Sequence, residues 1–163
     1  MSQNDRQYPK RPLLGVGALI FKRNKVLLVE RGKDPLKGYW SLPGGLVETG
    51  ERLEDAVRRE VREETGLVIR PLYLAEMFER IMHDEAGHVE YHYVLADYVC
   101  KVVSGDPKAS DDASQVDWFR IDRLGQLRLT DGTLAVIEKA YALRTGPASQ
   151  RAAAAARPSS STA

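Results

Sequence analysis

Apolar and polar positions change their period along the chain in a definite order. Two apolar runs, residues 13–21 and 26–30, flank the polar stretch KRNK and predict two strands joined by a tight turn at Asn24. DPLKGY reads as a loop, and WSLPGG as a short strand stopped by Pro43 and two glycines. From residue 52 to 65 the pattern becomes helical, and it ends at Gly66, the residue type best suited to the left-handed conformation past a helix end. β-rich segments follow at 67–75, 77–82 and, beyond the turn signal DEAG, 89–103. QVDWFRI predicts one more strand and TLAVIEKAYALR one more helix, with Leu134, Ile137 and Tyr141 on one side. There is no internal repeat. Strands interleaved with two or three helices predict an α/β fold with a mixed sheet and helices against it.

The first helix carries an anomaly. A helix turns by about 100° per residue, so taking Leu53 as zero puts Ala56 and Val57 within about 60° of it, on the buried stripe. Glu60 and Glu64 fall within about 20° of the same line, and Glu63 about 80° away. Asp55, Arg58, Arg59 and Arg62 spread over the opposite side. Surface pairs such as Glu54 with Arg58 and Arg59 with Glu63 account for the arginine face, each worth about 0.2–0.5 kcal/mol. They do not account for two carboxylates that continue an apolar stripe, since an unpaired buried charge costs several kcal/mol or more. A divalent cation in a cleft at the helix end would neutralise them, and all-oxygen clusters suit hard ions such as Mg²⁺ or Mn²⁺.

Length and charge narrow the picture further. The 163 residues fit one domain, expected over 10–145, between a flexible N-terminus at 1–9 and a disordered low-complexity tail at 146–163 rich in Ala, Ser and Pro. Charged residues make up 29% of the chain yet nearly cancel to +1, which argues against a nucleic-acid partner. Cys100 is the only cysteine, which excludes an internal disulfide framework and a multi-cysteine zinc site and points to the cytoplasm. LLGVGALIF is too short to span a bilayer and runs into KRNK without a cleavage site, so no membrane association is expected.

Read back from the acidic helix, GGLVETGERLEDAVRREVREETGL resembles the Nudix hydrolase family. The family's box is filled without a mismatch by Gly45, Glu51, Arg59, Glu60, Val61, Glu63, Glu64, Gly66 and Leu67, and GYWSLPGG and the late DWF are similar to it as well. The resemblance implies an α/β/α sandwich around a central mixed sheet, with the box forming loop, helix and loop. It implies that Glu60 and Glu64 are the principal metal ligands and that Glu63 is a ligand or base. The Gly44 carbonyl matches a backbone ligand, and Arg59 with Glu51 matches a pair that braces the helix and orients Glu60. An acid from a late loop is a further candidate ligand, offered here by Asp111 and Asp112 in SDDASQVDWF.

The implied chemistry is Mg²⁺- or Mn²⁺-dependent attack of water on a nucleoside diphosphate linked to another moiety, with Glu63 or Glu64 accepting the proton. The substrate expected first is ADP-ribose or a related nucleotide sugar, giving AMP and a sugar phosphate. The alternatives are a nucleoside triphosphate pyrophosphohydrolase removing damaged nucleotides, and a non-catalytic nucleotide-sensing module. A homodimer is a further expectation, because related small hydrolases are often dimers. HVEYH fails the zinc-protease pattern because Glu90 is misplaced; on a strand His88, Glu90 and His92 would share a polar face. Trp40, Trp118, Tyr91 and Tyr93 are read as core in preference to base-stacking.

Overall fold

The computed structural model describes residues 6–110 and 112–145. Its strands are β1 (Leu13–Lys22), β2 (Lys25–Arg31), β3 (Trp40–Ser41), β4 (Gly44–Leu46), β5 (Val68–His83), β6 (Val89–Ser104) and β7 (Ala113–Arg120). Helix α1 (Leu53–Thr65) lies between β4 and β5, and a 3₁₀ segment (Ile121–Gln126) and helix α2 (Thr133–Thr145) follow β7. The sheet order is β3-β2-β1-β6-β5, with β4 added to β1 and β7 to β2. β1 runs parallel to β6 and antiparallel to β2 and β4, so the sheet is mixed and the fold is α/β, in agreement with the sequence.

The central strands are continuously apolar because both faces are covered. Successive residues point to opposite faces. Ala18, Ile20, Leu27, Ala96, Tyr98 and Cys100 therefore pack with Ala56, Val57 and Val61 of α1. Leu19, Val26, Leu28 and Val99 pack on the other side with Leu124 and with Val136, Ile137 and Ala140 of α2. Two helices sandwiching one sheet thus follow from the alternation of two apolar sets within the same strands.

Four local readings change. Gly44 and Gly45 do not stop a strand; they begin β4, which lies so close to β1 that a Cβ at Gly44 would collide with the Val16 carbonyl. Segments 67–75 and 77–82 are one strand, β5, whose register shifts between Pro71 and Tyr73 and between Leu74 and Glu76 interrupt the apparent period. On α2 the buried face is Val136, Ile137 and Ala140, with Leu134 and Tyr141 on its flank. His88 precedes β6 in the hairpin turn, where its Nδ1 lies 3.3 Å from Asp84, so it shares no strand face with His92.

Two turns follow the expected chemistry. The β1–β2 turn falls at Arg23 and Asn24, and Gly66 ends α1 at φ 72° with its N–H bonded to the Arg62 carbonyl. Gln7 and Tyr8 hydrogen-bond Glu90 and Asp84 of the β5–β6 hairpin. The readings for residues 1–5, for Asp111 and for the tail at 146–163 lie outside the described residues. Among the described residues no helix is long and apolar enough to cross a membrane.

Ile137 is fully buried where α2 meets the sheet. Ile137→Ala is expected to lower unfolding stability by about 2–5 kcal/mol in urea denaturation.

Candidate active site

Helix α1 is tied to the glycine segment before it by one guanidinium. Arg59 donates from Nε to Glu51 Oε1 at 2.8 Å and from Nη2 to Glu51 Oε2 at 2.9 Å, a two-pronged pair. Nη2 also reaches the Leu46 carbonyl of β4 at 3.0 Å, while Nη1 contacts Glu60 Oε1 at 2.7 Å and Glu63 Oε2 at 3.2 Å. Arg59 holds the Glu51 carboxyl down to about 2, and Glu51 in turn raises the Arg59 guanidinium, so both stay charged at any physiological pH.

The buried stripe of α1 is rotated from the expected one toward Val61 and Thr65, which leaves Glu60 and Glu64 on its edge where the helix opens into a cleft. Glu64 Oε2 accepts a hydrogen bond from the Gly44 N–H at 2.9 Å. Burial pushes its carboxyl up to about 8, the Gly44 bond opposes this, and the negative Glu60 and Asp112 add to it. Burial also raises Glu60, against the stabilising bond from Arg59. Gly45 makes room for this arrangement: a Cβ there would sit 2.5 Å from the Glu60 carboxyl carbon.

Glu63 is exposed and turned to Arg59. The loop after β6 closes onto the end of α1 through Ser110 N–H to the Glu64 carbonyl at 3.0 Å and Ser110 Oγ to the Glu63 carbonyl. That closure brings Asp112 to the cleft, where it forms an ion pair with Lys33. Glu60, Glu63, Glu64, Gly44 and Asp112 therefore line one cavity. Among the described residues no three acidic, His or Cys side chains converge into a ligand cluster, because Arg59 draws Glu60 and Glu63 toward itself and Lys33 draws Asp112. The donor set nevertheless fits a hard divalent cation. Two carboxylates one helical turn apart are desolvated in a cleft, and among the described residues only Glu60 is hydrogen-bonded to a cationic side chain, Glu64 feeling Arg31 only through its charge.

The cavity, about 610 Å³, lies within the range of about 300–1,000 Å³ usual for small-molecule sites. Its far wall was not read from the sequence. Arg31, Lys33 and Arg80 line it, with Tyr93, which the sequence assigned to the core, and Asp97. Trp40 does pack in the core, edge-on to Phe119 at 4.6 Å, and Trp118 packs on the α1 side. Asp97 was the detectable signal: an acid inside the apolar run YVLADYVC, buried at 4% exposure, has to serve some purpose. Gly17 beside it carries no side chain, since a Cβ there would strike Asp97 Oδ1.

The chain belongs to the family described as NUDIX domain, whose model matches residues 11–139. It is 39% identical over 116 residues to an ADP-ribose pyrophosphatase of Methanocaldococcus jannaschii, a match covering 71% of this chain and 66% of that one. The chain thus spans just under two thirds of that relative's length. A MutT NUDIX hydrolase from Burkholderia pseudomallei superposes with a TM-score of 0.71 at 32% identity, covering 80% of this chain and 98% of that one. The NUDIX domain of Shewanella oneidensis NrtR, solved in complex with ADP ribose, gives 0.67 at 29% identity over 83% of this chain and 90% of that one. Hydrolases of this family generally use divalent metal ions.

Burial raises the Asp97 carboxyl to about 7, with Arg80 opposing and Glu76 reinforcing the shift. The folded protein then holds a proton that the unfolded chain releases near its ordinary value of 3.8, so stability falls as pH rises from about 4 to about 7. Asp97→Asn removes that loss. The variant is expected to melt several degrees above the wild type at pH 8 and to show no such gain at pH 4, measured by thermal denaturation across pH.

Proposed function

We propose that this chain is a pyrophosphohydrolase that cleaves the phosphate anhydride of ADP-ribose or a related nucleotide sugar. The observation carrying this reading is the pair Glu60 and Glu64, desolvated at the edge of a cleft whose lining also carries Arg31, Lys33 and Arg80. Carboxylates for a cation and basic groups for an anion in one cleft are what a metal-assisted reaction of a diphosphate requires. Glu60 and Glu64 would hold Mg²⁺ or Mn²⁺, with the Gly44 carbonyl and with Glu63 or Asp112 completing the oxygen set. The bound ion would supply charge neutralisation for the diphosphate and a lowered pKa for its water.

This chain's own residues do the rest. Arg59, anchored on Glu51 and the Leu46 carbonyl, keeps one oxygen of Glu60 pointed to a fixed place. The Gly44 N–H does the same for Glu64. Water attacks one phosphorus, the bridging P–O bond breaks, and the proton from water passes to Glu63 or Glu64. From ADP-ribose the products are AMP and ribose 5-phosphate. The ADP-ribose pyrophosphatase relative and the ADP ribose complex of the NrtR domain support this substrate. Cys100, buried and with its thiol pushed up to about 12, is a packing residue suited to the reducing cytosol, where we place the enzyme.

The test is product analysis with Mg²⁺ and Mn²⁺ against ADP-ribose, NADH, diadenosine polyphosphates, nucleotide sugars and nucleoside triphosphates. AMP plus ribose 5-phosphate supports the proposal; a nucleoside monophosphate plus pyrophosphate from a triphosphate replaces it; no turnover on any of them moves the reading to a nucleotide-sensing module. Glu64→Gln is expected to lose turnover by several orders of magnitude while its circular dichroism is unchanged. Wild-type turnover in that variant would sink the site assignment.

A further inference from the structure

The chain ahead of β1 is fastened to the β5–β6 hairpin as a short strap. The Tyr8 N–H donates to the Glu90 carbonyl at 2.8 Å, Gln7 Nε2 to Glu90 Oε1 at 2.8 Å, and the Tyr8 hydroxyl to Asp84 Oδ2 at 3.0 Å. Asp84 also accepts from the His88 N–H at 2.8 Å, so the turn that receives the strap has its own support. Tyr8 takes φ 51°, a left-handed backbone uncommon for a residue with a side chain, and these contacts hold it there. Two positions earlier, Arg6 lines the cleft of the candidate active site.

Arg6 differs from the other basic groups of that cleft. Arg31 Nε donates to the Pro35 carbonyl at 2.9 Å, Arg80 Nη2 is tethered by the Asp131 carbonyl and Thr130 Oγ1, and Lys33 pairs with Asp112. Among the described residues Arg6 takes part in no hydrogen bond or ion pair. Its Nε is buried, whereas its two Nη groups are accessible, so a ligand would meet the Nη groups.

The surroundings of Tyr93 say what that ligand is. Burial raises the Tyr93 hydroxyl, and Arg6, Arg31 and Arg80 oppose the shift, Arg6 most of the three. Guanidiniums from the strap, β2 and β5 thus gather about one hydroxyl of β6, and all four residues line the same cavity. Asp97 and Asp131 offset part of the charge at Arg80, but among the described residues no carboxylate is ion-paired with any of the three. Like charges brought together repel, and an anion between them relieves this. Arg31 also acts on Glu64, which puts the basic group next to the acids that would hold a metal ion. An anion that starts at those acids and reaches the Tyr93 hydroxyl needs two charged centres, as a diphosphate has, and guanidinium forks match phosphate oxygens.

Resting on the diphosphate reading above, we propose that Arg6 is a substrate-binding residue, carried into the active site by the strap. With Arg31, Arg80 and the Tyr93 hydroxyl it binds the phosphate that lies away from the metal-binding acids. Docking of Gln7 and Tyr8 on the hairpin is then a step in completing the site.

The test is isothermal titration of the Mg²⁺-loaded full chain with two ligands: the hydrolysis-resistant methylene analogue of ADP-ribose, and inorganic pyrophosphate, which carries the diphosphate without nucleoside or sugar. Arg6→Ala is expected to weaken both by about tenfold, with a thermal melt matching the wild type. Gln7→Ala combined with Tyr8→Phe loosens the strap and keeps Arg6. That pair is expected to weaken pyrophosphate by about threefold or more in the wild-type background and by under about 1.5-fold in the Arg6→Ala background. Arg6→Ala protein that binds both ligands like the wild type, or wild-type protein that binds neither, would overturn the site. Equal effects of the strap variants in both backgrounds would overturn the delivery of Arg6 by the strap. Pyrophosphate binding that depends on Arg6, without binding of the ADP-ribose analogue, would count against the nucleotide-sugar reading and support Arg6. Cleavage of ADP-ribose with no dependence of binding on Arg6 would do the reverse.

Discussion

Arg59 joins three things that would otherwise drift apart: the loop acid Glu51, the backbone of β4 at Leu46, and the helix carboxylates Glu60 and Glu63. Its guanidinium is planar and has five N–H donors in a fixed fork, so one side chain sets direction as well as charge. Glu60 needs this cation because burial at the helix edge disfavours its charged form. Remove the fork, and Glu60 loses the partner that fixes its direction, while β4 keeps only its backbone pairing to β1 and its link to α1 through Glu64.

The glycines complete the constraint from the other side. β4 approaches β1 so closely that a side chain at Gly44 has no place, and a side chain at Gly45 would occupy the space of the Glu60 carboxyl. The Gly44 N–H left by this approach then holds Glu64. A loop, a two-strand contact and a helix end thus meet within a few residues, and the polar groups freed by one element are the partners of the next. The cleft they border is lined by carboxylates and by the basic groups of Arg31, Lys33 and Arg80, a combination that suits a divalent ion together with a diphosphate.

Much of this is legible in the amino-acid sequence. The helix at α1 was readable because Ala56, Val57 and the acids recur with a helical period, and Gly66 marks its end. β1, β2, β6 and β7 were readable as apolar runs bounded by turns. Other elements were not. β5 appears broken in sequence because register shifts at Pro71–Tyr73 and Leu74–Glu76 interrupt its alternation, although hydrogen bonding to β6 keeps it continuous. β4 has no strand-like composition at all; its pairing depends on the absence of a side chain at Gly44, where a Cβ would meet the Val16 carbonyl of β1. The Val136, Ile137 and Ala140 face of α2 was displaced from the expected one because packing on Leu19 and Val99 chose among several apolar residues around that helix.

The sequence alone determined the order of elements, the α/β class and the helix on which the acids sit, because period and residue type are properties of neighbouring positions. Tertiary structure decided what faces those acids. Arg31 comes from β2, Arg80 from β5, Asp97 from β6 and Asp112 from the loop before β7, and only the parallel pairing of β1 with β6 and the closure of that loop on α1 bring them to one cavity. Burial of Asp97 is likewise invisible along the chain. Desolvation and contact depend on distances between segments far apart in sequence, and those distances exist only once the sheet has formed.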